Sequence, residues 1–225
     1  AKNPDLILFE DFAIPPGEID GQRGALGFGD HRWMASQKHT QIVKDVEVDS
    51  GGRLLVRGRQ GAEPNMLNRL SIEMENPLPN DFYLLLSGRY DGFDDDDFFG
   101  IWVDSMQRQD SSHSYAPNLG IREGRFFARI GLEDTAIGPS ASDGETFTLL
   151  MKVERHVETG TATVKLWHED FTGEPVSEVT APCRWMEKEF RFLGIRMGIA
   201  TDITDKLIVS RLAVGTTLDA VLSQP

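Results

Sequence analysis

The strongest constraint on the fold of this chain is a series of short runs in which apolar residues occupy every second position. Residues 147–153 and 162–166 are clear examples. Successive side chains of a β-strand point to opposite faces, so this spacing predicts strands that bury one face. Ten or more such runs, separated by Gly, Pro, Asn and Asp, predict an all-β sandwich or a closed barrel.

The same pattern leaves little room for helices. The runs follow one another too closely for the helical crossovers of a parallel sheet. Apolar residues at helical spacing predict three short helices, at residues 64–74, 184–190 and 217–222. The 225 residues contain no linker, repeat or low-complexity segment, so a single domain over residues 1–225 is expected.

Composition narrows the range of partners. The chain has 23 Lys and Arg against 36 Asp and Glu, a net charge of −13. Nucleic acids and anionic membrane surfaces are bound by basic faces, so neither is expected as a partner. No apolar run approaches the ~20 residues of a membrane span, which predicts no membrane insertion. Cys183 is the only cysteine, so no intrachain disulfide can form, and a partly buried structural role is expected for it.

Three parts of the chain carry a resemblance to a known family. The first has Leu-Phe-Glu-Asp-Phe at residues 8–12 and Gly-Gln-Arg-Gly-Ala-Leu-Gly-Phe at 21–28. The second has Asp-Asp-Phe-Phe-Gly-Ile-Trp at 96–102 and Pro-Asn-Leu-Gly-Ile-Arg at 117–122. The third is Leu-Ile-Val-Ser-Arg-Leu-Ala-Val-Gly at 207–215. In this order they resemble the laminin-G-like jelly-roll domains of exported bacterial proteins, within the concanavalin A-like lectin and glucanase fold.

The resemblance implies a two-sheet antiparallel jelly-roll β-sandwich whose first and last strands lie side by side. It also implies that carbohydrate binding, adhesion and calcium sites are common among relatives. Export to the periplasm, the cell surface or the medium is implied as well. The start at Ala1, without a methionine, fits a mature exported form as well as a cloning choice.

Acidic residues give two candidate calcium sites. Asp94, Asp95, Asp96 and Asp97 are consecutive, and calcium takes six to eight oxygen ligands, often from clustered aspartates. The EF-hand pattern is not matched, so a solvated charged turn is the alternative. The resemblance implies a second site between the first and last strands, which would use Glu10 and Asp205. Ordinary carboxylates at a sheet edge are the alternative there.

Aromatic side chains give the candidate glycan site. The C–H face of a sugar packs on an aromatic ring, while carboxylates, amides and guanidinium groups bind its hydroxyls. Trp102 and Asp104 share one strand face, and together with Tyr90 and Arg122 they form the predicted ligand-binding set. Each aromatic ring could instead belong to the core. Further candidates, also on strands or loops, are Trp33, Tyr115, Trp167, Arg129 and Arg196.

Glycoside hydrolysis is the enzymatic alternative. It needs two carboxyl groups at a fixed separation, and Glu73 with Glu75 or Glu187 with Glu189 have the spacing of neighbours on one strand face. The Glu-x-Asp-x-x-Glu motif of the glucanases of this fold is absent, and residues 168–174 do not alternate as that motif does. The leading hypothesis is therefore a non-catalytic carbohydrate-binding or adhesion module of an exported protein. A polysaccharide-active enzyme and a structural or protein-interaction domain are the alternatives.

Overall fold

The computed structural model describes residues 3–35, 40–44, 52–58, 70–92, 94–106, 116–131, 134–198 and 200–223. This part of the chain forms fifteen strands and one helix. In chain order the elements are β1 (Leu6–Glu10), β2 (Met34–Ala35), β3 (Thr40–Lys44), β4 (Gly52–Arg57), β5 (Leu70–Glu73), β6 (Phe82–Asp91), β7 (Phe98–Asp104), β8 (Asn118–Arg122), β9 (Arg125–Arg129), β10 (Thr135–Ser140), β11 (Thr146–His156), β12 (Thr161–His168), β13 (Ser177–Pro182), β14 (Phe192–Met197), β15 (Lys206–Gly215) and α1 (Leu218–Leu222).

The strands form two antiparallel sheets. The eight-stranded sheet has the order β13-β12-β11-β6-β15-β4-β3, and β1 joins it beside β15. The seven-stranded sheet has the order β10-β9-β8-β7-β14-β5-β2. Glu10 of β1 lies opposite Leu212 of β15, so the first and last strands are neighbours. The predicted two-sheet antiparallel β-sandwich is confirmed.

The core lies between the two sheets and follows the alternation in the sequence. In β7, Phe99, Ile101 and Val103 point into the core, and in β11 every second residue from Phe147 to Val153 does so. Burying these side chains on one face removes apolar surface from water, which is the main favourable contribution to folding. The residues between them point to the outer faces of the sheets, which is where a binding site can form.

The predicted helices have mixed outcomes. The helix at the C-terminus is confirmed as α1, and the hydroxyl of Thr217 accepts a hydrogen bond from the backbone N–H of Ala220, 3.3 Å away, as an N-cap. The helix predicted at residues 64–74 is wrong over Leu70–Glu73, which form β5; residues 64–69 lie outside the described part. Residues 184–190 contain a turn and no helix.

Tertiary packing explains both corrections. Leu70, Ile72 and Met74 are all buried, and their spacing of two fits the sandwich core better than a helical stripe. Trp185 and Phe190 are buried against each other, with ring centroids 5.3 Å apart, and this contact fixes an irregular turn. In the described part of the chain, no helix is long and apolar enough to cross a membrane.

Candidate functional site

The outer face of the seven-stranded sheet carries most of the predicted ligand-binding residues. Because Phe99, Ile101 and Val103 point into the core, Trp102 and Asp104 point the other way. We call this surface the front face. Its residues are Ser71, Phe98, Trp102, Asp104, Asn118, Arg122, Phe127, Arg129, Gly194 and Arg196.

A continuous row of residues crosses the front face at right angles to the strands. Gly194 lies opposite Trp102, Trp102 opposite Asn118, and Asn118 opposite Arg129. Gly194 makes room for the indole ring, since a Cβ atom there would overlap the Trp102 ring. The row therefore combines an aromatic ring, an amide and a guanidinium group at neighbouring positions.

Two arginines stack on a phenylalanine beside this row. The guanidinium carbons of Arg129 and Arg196 lie 5.2 Å and 5.7 Å from the centre of the Phe98 ring. Arg129 is also 5.4 Å from the ring centre of Phe127. Such cation–π contacts hold the flat guanidinium groups in fixed orientations.

Asp104 closes one end of the front face. It is completely buried, and its Oδ1 accepts a hydrogen bond of 2.6 Å from the backbone N–H of Ser105. The Nζ atom of Lys188 lies 3.9 Å from the same oxygen. A buried carboxylate needs such partners, because an uncompensated charge away from water is costly.

The centre of the front face is closed and one end of it is open. Trp102 is 2% exposed and Arg129 is 3% exposed. Within the described part of the chain, Trp102 Nε1 and Asn118 Oδ1 are buried and have no hydrogen-bond partner. The side chain of Arg122, in contrast, is 40% exposed and its Nη2 lies 3.1 Å from Glu123 Oε1. Arg122 is therefore an exposed part of the front face.

Tyr90 is not part of the front face. It belongs to the other sheet, points into the core and is 1% exposed. Its hydroxyl donates a 3.0 Å hydrogen bond to Asp97 Oδ2, and burial together with the Asp97 charge raises the pKa of Tyr90 well above its usual value. The structure thus places Trp102, Asp104 and Arg122 on one face, with Asp104 and Arg122 near opposite ends of β7, and places Tyr90 elsewhere.

The four consecutive aspartates form a turn before β7. Asp94, Asp95 and Asp96 are exposed, and Asp97 is buried. Asp97 Oδ2 accepts hydrogen bonds from the Tyr90 hydroxyl and, at 2.8 Å, from the Asp94 backbone N–H. Burial raises the pKa of Asp97 to about 6, against the effect of these hydrogen bonds.

Glu10 and Asp205 are far apart. Glu10 lies opposite Leu212, and Asp205 comes seven residues earlier in the chain, just before β15, which at ~3.3 Å per residue is about 23 Å. Glu10 Oε2 accepts hydrogen bonds from the backbone N–H of Ala25, at 2.9 Å, and from Trp33 Nε1, at 3.4 Å. Asp205 Oδ2 accepts a 2.8 Å hydrogen bond from the backbone N–H of Asp202. Burial raises the pKa of both carboxyl groups.

The two calcium sites predicted from the sequence stay predictions. Among the described residues, no group of three or more His, Cys, Asp or Glu side chains converges as metal ligands would. The buried carboxylates of Glu10 and Asp97 already accept hydrogen bonds from the protein, so each has a structural role.

Neither candidate pair for hydrolysis lies on one strand. Glu73 ends β5, and Glu75 follows in the next bend. Glu187 and Glu189 lie in the loop before β14, where Glu189 Oε2 accepts a 2.9 Å bond from Arg191. The assumption of strand neighbours is therefore wrong for both pairs. Cys183 is half-buried, and burial raises the pKa of its thiol, which is the opposite of what a nucleophile needs.

Sequence reasoning missed an open groove on the outer face of the eight-stranded sheet. The groove has a volume of about 280 Å³. It is lined by Arg53, Ser87, Gly88, Arg89, Thr146, Phe147, Thr148, Glu169, Ile208 and Ser210. Four different strands contribute most of these residues, and no local motif joins them. The only signal in the sequence is that Arg53 and Arg89 occupy outward positions of apolar strands.

Comparison with known proteins gives the fold class. No family model matches the chain, and no curated protein matches it. Among solved structures, a bifunctional GH43-CE protein of Bacteroides eggerthii superposes with a TM-score of 0.57 at 10% identity over 94% of this chain. This chain covers only 28% of that protein's length.

Two further structures match over most of their length. The cellulose-induced protein Cip1 has a TM-score of 0.52 and 10% identity, with 79% of this chain and 85% of that one covered. A single-residue mutant of the Emp46p carbohydrate recognition domain has a TM-score of 0.52 and 9% identity, with 80% and 87% covered. At these identities the likeness shows the fold alone. The chain is a sandwich of the concanavalin A-like, jelly-roll type, and no family model identifies it as laminin-G-like.

Proposed function

We propose that this chain is a non-catalytic carbohydrate-binding module that binds a polysaccharide at the front face. The observation that supports the proposal is the row of Trp102, Asn118 and Arg129 on the outside of the sheet. Burying an amide and a guanidinium group on the outer face of the sheet costs free energy. Apolar residues at the same positions would avoid that cost. These groups match the needs of a sugar, whose hydroxyls bind amides and guanidinium groups and whose C–H face packs on a ring.

The open end at Arg122 is where a sugar chain first contacts the protein. Arg122 lies opposite Phe98, and Phe98 carries the two stacked arginines. A sugar residue bound at Arg122 is therefore next to guanidinium groups whose orientation is already fixed. Preorganised donors lose little conformational entropy on binding, which favours affinity.

The named structural neighbours are consistent with this function. One is described as a carbohydrate recognition domain, and another as a bifunctional GH43-CE protein whose chain is much longer than this one. A module of this size within a polysaccharide-degrading protein would hold the substrate near a separate catalytic domain. We also propose export to the periplasm, cell surface or medium, because the polysaccharides that such a module would bind lie outside the cell.

Calcium stays a prediction from the resemblance and is no part of the binding step proposed here. It is checked by comparing the thermal unfolding midpoint in calcium chloride with that in EDTA. A site that holds calcium in the folded state alone raises the midpoint as the calcium concentration rises.

Affinity electrophoresis tests the proposed function. The wild-type chain, Arg129→Lys and Lys165→Ala run through gels that contain a panel of neutral and acidic polysaccharides. Lys165 is the control, since it lies on the outer face of the other sheet. Arg129→Lys keeps the charge and loses the planar fork of donors.

We expect one polysaccharide to retard the wild-type chain and Lys165→Ala equally, and Arg129→Lys less. Uniform mobility across the panel would contradict the proposal and favour a structural or protein-interaction role.

A further inference from the structure

The groove on the eight-stranded sheet lies on the opposite side of the molecule from the front face. Four adjacent strands contribute to it, namely β4 with Arg53, β15 with Ser210, β6 with Ser87 and β11 with Thr148. The register of β15 against β6 shifts between Val209 and Arg211, so Ser210 sits in an irregularity of the ladder. Such bulges bend a strand and redirect its side chains, which gives the sheet a depression here.

The charge in the groove is unusual for this protein. The chain carries a net charge of −13, yet two guanidinium groups line the groove. Arg89 Nε lies 3.3 Å from Asp91 Oδ1. Arg53 donates one bond of 3.0 Å from Nη1 to the Gly52 carbonyl. Across the described residues, Arg53 has no carboxylate within 4.0 Å, and its Nε atom is buried without an acceptor.

Arg53 therefore has donor capacity that the described protein groups do not use. A guanidinium group presents five N–H donors in a rigid fork that matches a carboxylate. A buried donor without an acceptor destabilises the protein, and a bound anion removes that cost. The described groups thus leave an acceptor position at Arg53, and a negatively charged acceptor pairs best with a guanidinium group.

Hydroxyl groups cover the floor of the groove. Ser87 Oγ and Thr148 Oγ1 are 3.1 Å apart, and Ser210 Oγ donates to the Ser87 carbonyl at 3.1 Å. Glu169 is fixed at one side, because its Oε1 accepts a 2.7 Å hydrogen bond from the Thr148 backbone N–H. Hydroxyls that both donate and accept, beside one carboxylate that accepts, suit a ligand rich in hydroxyl groups.

We propose that this groove binds an acidic sugar residue, with the carboxylate of a uronic acid paired to Arg53. The sugar hydroxyls bind to Ser87, Thr148 and the free oxygen of Glu169. A volume of about 280 Å³ lies just below the range of pockets for drug-sized ligands, which suits a single sugar residue. The site is separate from the front face, so it extends the proposed function without depending on it.

Calorimetric titration of the full chain with tri-galacturonate tests this site, with galactotriose and acetate as comparison ligands. The variants are Arg53→Met, Arg53→Lys and, as a matched control, Arg57→Met. Arg57 follows on the same strand face and does not line the groove. Equal unfolding midpoints of the two methionine variants show that the fold is intact.

We expect tri-galacturonate to bind the wild-type chain and Arg57→Met alike, and Arg53→Met at least about tenfold more weakly. Arg53→Lys falls between them, and galactotriose and acetate bind at least about tenfold more weakly than tri-galacturonate. No binding of tri-galacturonate, equal loss in both methionine variants, or equal affinity for acetate would each overturn the proposal.

Binding at the front face is tested separately, by the gel experiment described above. Arg53→Met runs with wild-type mobility in a gel that contains a neutral polysaccharide bound at the front face. The failure of one site is thereby distinguished from the failure of the other.

Discussion

Each sheet carries a buried cluster on its outer face, and the two clusters consist of very different side chains. On the eight-stranded sheet, Leu85, Leu150 and Trp167 form an apolar cluster with Val221 of α1. On the front face, Trp102 lies among Asn118, Arg129 and Arg196, which are just as buried. Burial of the first set stabilises the fold, whereas burial of the second requires a partner for every polar group.

This difference motivates the proposal that the front face binds a ligand. A helix over an apolar cluster needs no further explanation, since the hydrophobic effect accounts for it. The hydrophobic effect does not account for charged and amide groups held outside the core against aromatic rings. The predictions below test this contrast, beginning with the largest effect.

Leu150→Ala removes a side chain from the middle of the apolar cluster. Leu150 lies between Leu85 and Trp167 in the sheet and is buried. The free energy of unfolding should fall by about 2–5 kcal/mol, since a cavity is left behind. Urea unfolding measures this, with the exposed Val157→Ala as control. A polysaccharide gel should retard the folded variant as much as the wild-type chain. A loss of binding without a loss of stability would contradict the contrast between the two outer faces.

Gly194→Ala tests the packing of the front face. The new Cβ atom overlaps the Trp102 ring, so the ring must move. We expect the free energy of unfolding to fall by about 1–3 kcal/mol and polysaccharide retardation to decrease as well. Gly173→Ala is the control, because its Cβ would meet nothing within 4 Å. Equal stability of both variants would show that Trp102 is loosely held.

Asp97→Asn tests a buried polar group whose role is structural. The pKa of Asp97 is raised to about 6 in the folded chain, above its ordinary value of 3.8. The folded state therefore binds a proton at Asp97 more tightly than the unfolded state does. The bound proton stabilises the fold below about pH 4, and this stabilisation is lost as the pH rises through about 6. Relative to wild type, Asp97→Asn should gain stability across that range.

Urea unfolding at pH 4, 5, 6 and 7 measures this gain, with the exposed Asp95→Asn as control. Parallel curves for wild type and Asp97→Asn would contradict the assigned pKa. Binding to polysaccharide should be unchanged, since Asp97 does not belong to the front face.

Arg122→Ala should have the smallest effect on stability and a clear effect on binding. Its side chain is 40% exposed, and its ion pair with Glu123 is at the surface. Such a pair contributes roughly 0–1 kcal/mol to stability. A chemical unfolding curve and a gel with polysaccharide, run on the same sample, measure both. Wild-type retardation of this variant would place the open end of the binding surface elsewhere.

Local spacing in the sequence was enough to predict the sandwich and to place part of the candidate site on one face. The alternation that defines β7 also places Trp102 and Asp104 on one face, whatever the topology. Tyr90 could not be excluded from the site in this way, because its face depends on which side of β6 the second sheet covers. The separation of Glu10 from Asp205 depends on the register between β1 and β15, which no local pattern encodes.

The groove around Arg53 shows the same limit more strongly. It needs a shift of register at Ser210 and residues from four strands. Each of these is set by long-range pairing, so the sequence alone shows only outward arginines. The helix expected at residues 64–74 failed because core packing of Leu70 and Ile72 outweighed helical spacing.

The indole N–H signals of the four tryptophans test the central claim most directly. Trp33, Trp167 and Trp185 donate from Nε1 to Glu10, Gly173 and Ile130, while Trp102 Nε1 has no acceptor among the described residues. Trp102→Phe assigns the Trp102 signal in a ¹⁵N–¹H NMR spectrum. Addition of an oligosaccharide of the retarding polysaccharide should shift the Trp102 signal and leave the other three in place. An unmoved Trp102 signal at saturating ligand would contradict a binding site on the front face.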